Sequence, residues 1–365
     1  MSADPARAEL DERLLAWMRE PGWPEDEARF AQTALDLFAF QFSHCEPYRR
    51  FCEGRGAVPD ALRDWREIPP VPTGAFKELA LTSFPLARAV RVFRTSGTSS
   101  RARGELHLDT LALYEASLLP SFRRFLLPDL APGERAHIVA LAPSGADAGD
   151  SSLSHMFQVA MRELGDPESF FAVRAGELQA QPLIEHLAAC ESEGPPLLLC
   201  GAAFAFVHLL EVLEASGVSL SLPRRVRVME TGGFKGRARE RTRDELYEEI
   251  QARLGVPATR IVNQYGMTEL GSQFYDSNLV QPDAPRRKQG PPWARVRVID
   301  PRSGEPAEVG ALHVFDLANA GSVLAIQTAD LGRDLGDGFE VIGREPGAEA
   351  RGCSIAIDEL LGGRG

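Results

Sequence analysis

Leu10, Leu14, Trp17 and Met18 recur at helical spacing near the start of the chain, which predicts an amphipathic helix. A second run over residues 25–45 puts Phe30, Leu37, Phe38 and Phe42 on one stripe and predicts another helix. The proline-rich stretch Ile68-Pro69-Pro70-Val71-Pro72 then breaks helical periodicity. It leads into residues 76–93, whose short apolar patches predict strands or extended chain. Further on, short apolar runs alternate with longer amphipathic ones. Strands are predicted over 137–142, 170–173, 197–200, 226–230 and 260–262, and helices over 153–164, 178–192, 203–215 and 237–254.

Strand and helix units repeated at this spacing imply crossover connections and a mostly parallel sheet covered on both faces. After Asn278 the pattern changes. Pro and Gly become frequent, and short β-like runs at 294–299, 311–315, 323–327 and 339–342 predict antiparallel sheet or a small barrel. The fold class is therefore α/β, with mostly parallel covered sheets and a small antiparallel β subdomain. It divides into a helical part over residues 1–89, α/β layers over 90–277 and a β-rich part over 278–343.

A chain of 365 residues that is 44% hydrophobic can bury a large core. Its formal net charge of −12 gives no basic field for DNA, RNA or anionic membranes, so nucleic acid is not an expected partner. No window is apolar enough for a spanning helix, and the first thirty residues are charged, unlike a secretory signal. A cytoplasmic protein without membrane insertion is expected. The cysteines at 45, 52, 190, 200 and 353 are odd in number and lack C-x-x-C spacing, so neither disulfides nor zinc are expected and most should be buried. The seven histidines form no H-E-x-x-H pair. Of 40 basic side chains only Lys77, Lys235 and Lys288 are lysines.

Directly after the apolar residues 90–93 comes Arg94-Thr95-Ser96-Gly97-Thr98-Ser99-Ser100-Arg101. Hydroxyls and backbone N–H groups around a glycine can wrap phosphate oxygens, although a solvated turn has the same composition. No G-x-x-x-x-G-K-[ST] loop, G-x-S-x-G elbow or G-x-G-x-x-G fingerprint occurs. Downstream, in order, stand Gly232-Gly233, Asn263-Gln264-Tyr265-Gly266-Met267-Thr268-Glu269, Thr328-Ala329-Asp330-Leu331-Gly332-Arg333 and Gly343-Arg344. Together with the hydroxyl loop, these segments resemble the adenylate-forming superfamily, which includes acyl-CoA synthetases, firefly luciferase and peptide-synthetase adenylation domains.

That resemblance implies the superfamily's large-domain fold over residues 1–343, with 344–365 as a short tail after a hinge at Gly343-Arg344. It also implies ATP and Mg²⁺ as cofactors and a carboxylic acid as substrate. By the same likeness Thr95, Ser96, Gly97, Thr98 and Ser99 would cradle the β- and γ-phosphates, and Thr268 would contact the α-phosphate. Gly232, Gly233, Tyr265 and Gly266 would surround adenine, with the Tyr265 ring available for stacking. Glu269 would be a hard ligand for Mg²⁺, and Asp330 would accept hydrogen bonds from ribose. Each has a plainer role open to it: Glu269 as a turn cap, Tyr265 as core, and Asp330 with Gly332 as a tight turn.

The sequence departs from the superfamily at its end. Most members continue past the hinge into a small mobile domain bearing a lysine that acts during adenylation. Here 21 residues follow Arg344 and none is lysine, so that domain is expected to be missing or vestigial. The short form resembles the acyl-protein synthetase branch of bacterial bioluminescence, related to phenylacetate-CoA ligases. The features shared with it are Ile68 to Pro72 through Phe76-Lys77, Thr231-Gly232-Gly233-Phe234-Lys235-Gly236, and the ending Arg351-Gly352-Cys353-Ser354.

In that branch a C-terminal cysteine receives the acyl group before a reductase does. Cys353 stands where such a residue would, with Arg351 nearby to favour thiolate; the alternative is a passive tail residue. Lys235 or Arg344 would supply the charge that the absent lysine normally brings.

The resemblance therefore implies an AMP-forming ligase that passes its acyl group to a thiol, on Cys353 or on a reductase-like protein partner. Transfer to a small-molecule amine or thiol, and an inactive nucleotide-binding partner subunit, are the alternatives. His155, Phe157, Phe204, Phe206, Phe274 and Tyr275 lie near motif segments and could line an acyl pocket, or could simply be core.

Overall fold

The computed structural model describes residues 4–95, 103–190, 194–232 and 242–344. The chain divides into two units. One comprises Ser121–Gly266 and Phe274–Arg287; the other draws on residues up to Pro120, on Met267–Gln273 and on the chain from Lys288 onward.

The unit built on Ser121–Gly266 is a covered parallel sheet. Strands Phe170–Arg174, His137–Pro143, Leu197–Ala202, Arg227–Thr231 and Ile261–Tyr265 lie side by side in that order, each parallel to its neighbour. Short antiparallel strands, Glu177–Leu178 and Phe274–Asp276, flank the two ends of this row. Between the parallel strands run helices Ser152–Leu164, Ala180–Ala189, Ala203–Ala215 and Arg243–Leu254. Sheets covered on both faces need strands that are apolar without alternation, and residues 137–142 are buried throughout.

Phe206, Leu209, Leu210 and Leu213 of one helix pack with Val139, Leu199, Val228 and Ile261 of the strands and with Ile250 and Leu254 of the last helix. That last helix starts at a capping box made by Thr242 and Glu245. It stops at Gly255, whose φ of 69° suits a residue without Cβ.

The other unit is helical and antiparallel. Helix Pro5–Met18 is capped by Asp4 and has its proline in the first turn, and Glu27–His44 is capped by Asp26. The strands Ala294–Ile299, Val309–Asp316, Ala325–Asp334 and Phe339–Arg344 pair antiparallel in that order. Val71–Pro72 adds in parallel to the third of them. Trp65 packs edge-on against Phe315 with centroids 4.8 Å apart, and Trp17 against Trp293 at 6.5 Å.

Several predicted elements change here. Residues 76–93 hold one strand, Arg91–Arg94, preceded by 3₁₀ turns at Thr73–Lys77 and Leu86–Arg88. Pro72 and Pro85 stand immediately before those turns and fix their entry. Helix Ala180–Ala189 is shorter at both ends than the predicted 178–192. Helix Ala112–Leu126 was not predicted at all, because Pro120 inside it reads as a breaker. Among the described residues, no helix is long and apolar enough to cross a membrane.

Candidate active site

Strands Arg91–Arg94 and Glu105–Leu108 form a hairpin with Arg94 opposite Glu105. The pairing continues one step into the loop: the Thr95 N–H donates to the Gly104 carbonyl at 2.9 Å, and the Gly104 N–H donates to Thr95 Oγ1 at 2.9 Å. Arg103 Nε adds a bond to the Thr95 carbonyl at 2.6 Å. The ends of the hydroxyl-bearing segment are thereby clipped together at the head of two strands. Ser96, Gly97, Thr98 and Ser99 lie outside the described residues.

Glu269 comes to this clip from a distant part of the chain. A Cβ built on Gly104 would stand 3.1 Å from Thr95 Cγ2 and 3.3 Å from Glu269 Oε1, so a side chain at 104 would press on both. Gly104 thus admits the carboxylate to the base of the loop, a role the sequence alone did not reveal. Glu269 is buried and Thr268 beside it is half-buried.

A cavity of about 440 Å³ opens next to the clip, with Lys77, Arg94, Arg103, His107, Glu78 and Glu105 among its walls. Arg94 Nε donates to Glu105 Oε1 at 2.7 Å, and His107 Nε2 lies 3.4 Å from Glu105 Oε2. Three fixed cations against two carboxylates leave a positive excess that suits an anion. The sequence reading missed these basic walls, although Arg94 and Arg103 bracket the hydroxyl segment.

Asp330 and Arg344 lie opposite each other in the antiparallel pair Ala325–Asp334 and Phe339–Arg344. Arg344 Nε donates to Asp330 Oδ1 at 3.2 Å, with Arg344 mostly exposed and Asp330 largely covered. Thr328 Oγ1 accepts from the Asp330 N–H at 3.1 Å, which fixes the backbone that presents the carboxylate. Two motifs fourteen residues apart thus meet through strand register alone.

In the parallel-sheet unit, Thr231 and Gln264 are register partners at the carboxyl ends of adjacent strands, where ligands of such sheets gather. The Thr231 hydroxyl donates to the Gln264 carbonyl at 3.1 Å and contacts the Gln264 side-chain oxygen. Gly232 follows with φ 73°, a conformation that favours glycine, and open space where a Cβ would be. Tyr265 is half-buried, its ring 6.3 Å from that of Phe274, and Gly266 follows it.

Beneath them Glu230 is buried, its Oε1 accepting from Tyr247 Oη at 2.9 Å and Asn263 Nδ2 at 2.6 Å. Burial, reinforced by the Glu230 charge, holds the Tyr247 phenol far above its ordinary range, so it stays a donor. Glu230 escaped the sequence reading, since a glutamate inside a strand carries no motif, whereas Asn263 opens the motif segment that ends at Glu269 but had no role assigned.

Gly233, Lys235 and Cys353 lie outside the described residues. The four other cysteines are free; three are buried and Cys190 is half-buried. Burial pushes Cys45 up to about 11 and Cys52 up to about 12, which keeps both as thiols. The proposed acyl-pocket residues sit in the parallel-sheet unit. Phe157, Phe206, Phe274, Tyr275 and His155 are buried, and the half-buried Phe204 packs on the main core cluster. Tyr275 stacks on Phe125 at 5.7 Å, and its hydroxyl points at Met156 Sδ. None of the six borders the cavity beside the hairpin.

The donors near the hairpin suit magnesium and phosphate chemistry. A buried carboxylate is a hard-oxygen donor. Among the described residues no three His, Cys, Asp or Glu side chains are grouped to hold a metal. The buried Glu269 carboxylate is a hard-oxygen donor of the kind magnesium takes where one or two protein carboxylates act together with oxygens brought by a nucleotide.

The fold is that of the adenylate-forming ligases. The long-chain-fatty-acid–CoA ligase of Archaeoglobus fulgidus superposes with a TM-score of 0.51 at 14% identity, over 71% of this chain and 52% of the other. ATP-bound MatB from Rhodopseudomonas palustris aligns with a TM-score of 0.46 at 16% identity, over 72% and 49%. The chain spans about half the length of these two solved structures.

A family model described as Acyl-protein synthetase, LuxE, matches residues 7–362, and the chain belongs to that family. As a member of it, the protein is an acid ligase. The long-chain-fatty-acid–luciferin-component ligase of Aliivibrio fischeri is 22% identical over 98% of this chain and 95% of its own length. The Vibrio harveyi ligase of the same name is 21% identical over 98% and 94%.

Proposed function

We propose that the protein condenses a carboxylic acid with ATP, forming an acyl-adenylate and pyrophosphate, and then transfers the acyl group to a thiol. The observation that carries this reading is the approach of the buried Glu269 carboxylate to the Thr95–Gly104 clip at the base of the hydroxyl loop. The names of the Aliivibrio and Vibrio relatives support a long-chain fatty acid as substrate.

Magnesium bound to the triphosphate would neutralise charge on its phosphate oxygens as the bond from the α-phosphorus to the pyrophosphate oxygen breaks. The chain's own residues do the rest. Thr95 anchors one end of the hydroxyl loop, and the cations Lys77, Arg94 and Arg103 favour phosphate at its foot. Asp330, aimed by Thr328 and by Arg344, would accept from ribose hydroxyls. Thr231, Gly232 and Tyr265 offer a hydroxyl, an open glycine and a ring face for adenine.

The carboxylate oxygen attacks the α-phosphorus and pyrophosphate leaves. A thiolate then attacks the acyl carbonyl carbon and AMP leaves. Cys353 is the thiol we assign within the chain, with a reductase-like protein as the onward acceptor. Lys235 or Arg344 is our assignment for the cation that neutralises charge at the substrate carboxylate and the α-phosphate.

The test is ATP–pyrophosphate exchange across fatty, aryl and amino acids. Wild type should exchange with a long-chain fatty acid, and Glu269→Gln should lose at least about 100-fold with its melting temperature kept. Exchange by wild type with none of the acids removes the reading. Mass spectrometry after ATP and acid should show an acyl adduct that Cys353→Ala lacks. Exchange without any adduct would redirect the transfer to a small-molecule amine or thiol.

A further inference from the structure

Glu269 is the centre of the proposed chemistry, yet it sits on a seven-residue segment, Met267–Gln273, with no regular structure of its own. A loop carboxylate has to be held by something else if it is to stay at the hairpin base. The connection after strand Val309–Asp316 does this. Asn319 Nδ2 donates to the Glu269 backbone carbonyl at 2.8 Å. Asp316 Oδ2 accepts from the Ser272 N–H at 2.7 Å, and its Oδ1 accepts from the Ser272 hydroxyl at 2.6 Å and the Ala318 N–H at 3.0 Å.

The two segments touch without a gap. A Cβ on Gly271 would stand 2.9 Å from Ala318 Cβ and 3.0 Å from Asn319 Oδ1, so that position must be glycine for the approach to exist. Asp316 is completely buried, and the donors it receives are all neutral: the Ser272 hydroxyl and backbone amides of Ser272, Ala318 and Gly271. A buried carboxylate satisfied only by neutral donors is a costly way to stabilise a fold. What it secures here is the path of the backbone after Leu270.

We propose that Asn319 and Asp316 are positioning residues for Glu269, with Asn319 fixing its backbone carbonyl and Asp316 fixing the turn that follows. The proposal rests on the assignment of Glu269 to the nucleotide-bound magnesium. Neither residue touches substrate. They act by removing the freedom of the Glu269 backbone, so that its carboxylate remains beside Gly104.

The test compares Asn319→Ala with Leu14→Ala in ATP–pyrophosphate exchange. Leu14→Ala empties a buried apolar site in helix Pro5–Met18 and leaves the Asn319 and Asp316 bonds in place. Asn319→Ala should raise KM for magnesium–ATP at least about 10-fold, with KM for the acid unchanged. Leu14→Ala, which lowers stability without touching the Glu269 backbone, should leave both KM values near wild type. A merely structural role for Asn319 would lower kcat through the folded fraction and shift neither KM; that result overturns the proposal.

Should Asn319→Ala not fold, Asn319→Leu, close in size but without a donor, carries the same comparison. Wild type without exchange overturns the functional reading and this proposal together. Wild-type exchange that needs Glu269 but ignores Asn319 overturns this proposal alone.

Discussion

The two units are specified in different ways. The parallel-sheet unit is written almost continuously, with strand and helix alternating between Ser121 and Gly266 and a core made of aliphatic side chains. The other unit is gathered from three stretches of chain, and buried polar groups stitch it together. Gln41 donates to the Asn319 carbonyl at 3.0 Å and accepts from the Leu324 N–H at 2.9 Å. Trp293 Nε1 donates to Ser117 Oγ, which in turn pairs with Ser272 Oγ at 2.8 Å. Apolar burial is non-directional and tolerates small shifts, whereas each of these bonds demands a particular atom in a particular place. The unit with stricter demands is the one that carries Glu269.

The largest effect that bears on this contrast is a cavity in the aliphatic core. Phe206→Ala should cost about 3–5 kcal/mol in urea denaturation, because a fully buried ring in the main cluster is lost. A loss below about 1 kcal/mol would show that this core is not what specifies its unit.

A middling effect belongs to the antiparallel unit. Burial, with Arg297 adding repulsion, lowers His313 from the usual 6.5 to about 4, so it is neutral in the fold. Below pH 6.5 the unfolded chain binds the proton first, and stability falls as pH drops from about 6.5 to about 4, then levels. The contribution is at most about 3 kcal/mol. Removing the imidazole in His313→Gln should flatten stability against pH over that window. An unchanged slope would mean that His313 is protonated within the fold.

The smallest effect sharpens the comparison at the surface. The Arg344–Asp330 pair is largely open to solvent on the Arg344 side, so Arg344→Ala should change stability by no more than about 0.5 kcal/mol. With stability so little affected, any loss of pyrophosphate exchange in that variant would report on the site, through Asp330 and ribose or through the Arg344 charge itself, rather than on folding.

Legibility follows the same division. Helix Ala203–Ala215 and strand Ala294–Ile299 have the predicted bounds because their apolar patterns begin and end abruptly. Helix Ala112–Leu126 was hidden by Pro120, and the strands over Val309–Arg344 run longer than their apolar parts because pairing extends into polar residues. Among site residues, Thr95, Thr268, Glu269 and Asp330 stand out through ordered motifs. Gly104, Asn319, Asp316 and Glu230 do not, since nothing nearby in sequence marks them.

By itself the sequence determined most of the secondary structure of the parallel sheet and the class of enzyme, and it named the residues proposed for the chemistry, because hydrophobic period and short motifs are local properties. Only the tertiary structure decided that Gly104 admits Glu269 to the hairpin, that Asn319 anchors its backbone and that Asp330 faces Arg344. Those relations join atoms up to 165 residues apart, counting from Gly104 to Glu269. Directional bonds over such separations exist only after the chain has closed on itself.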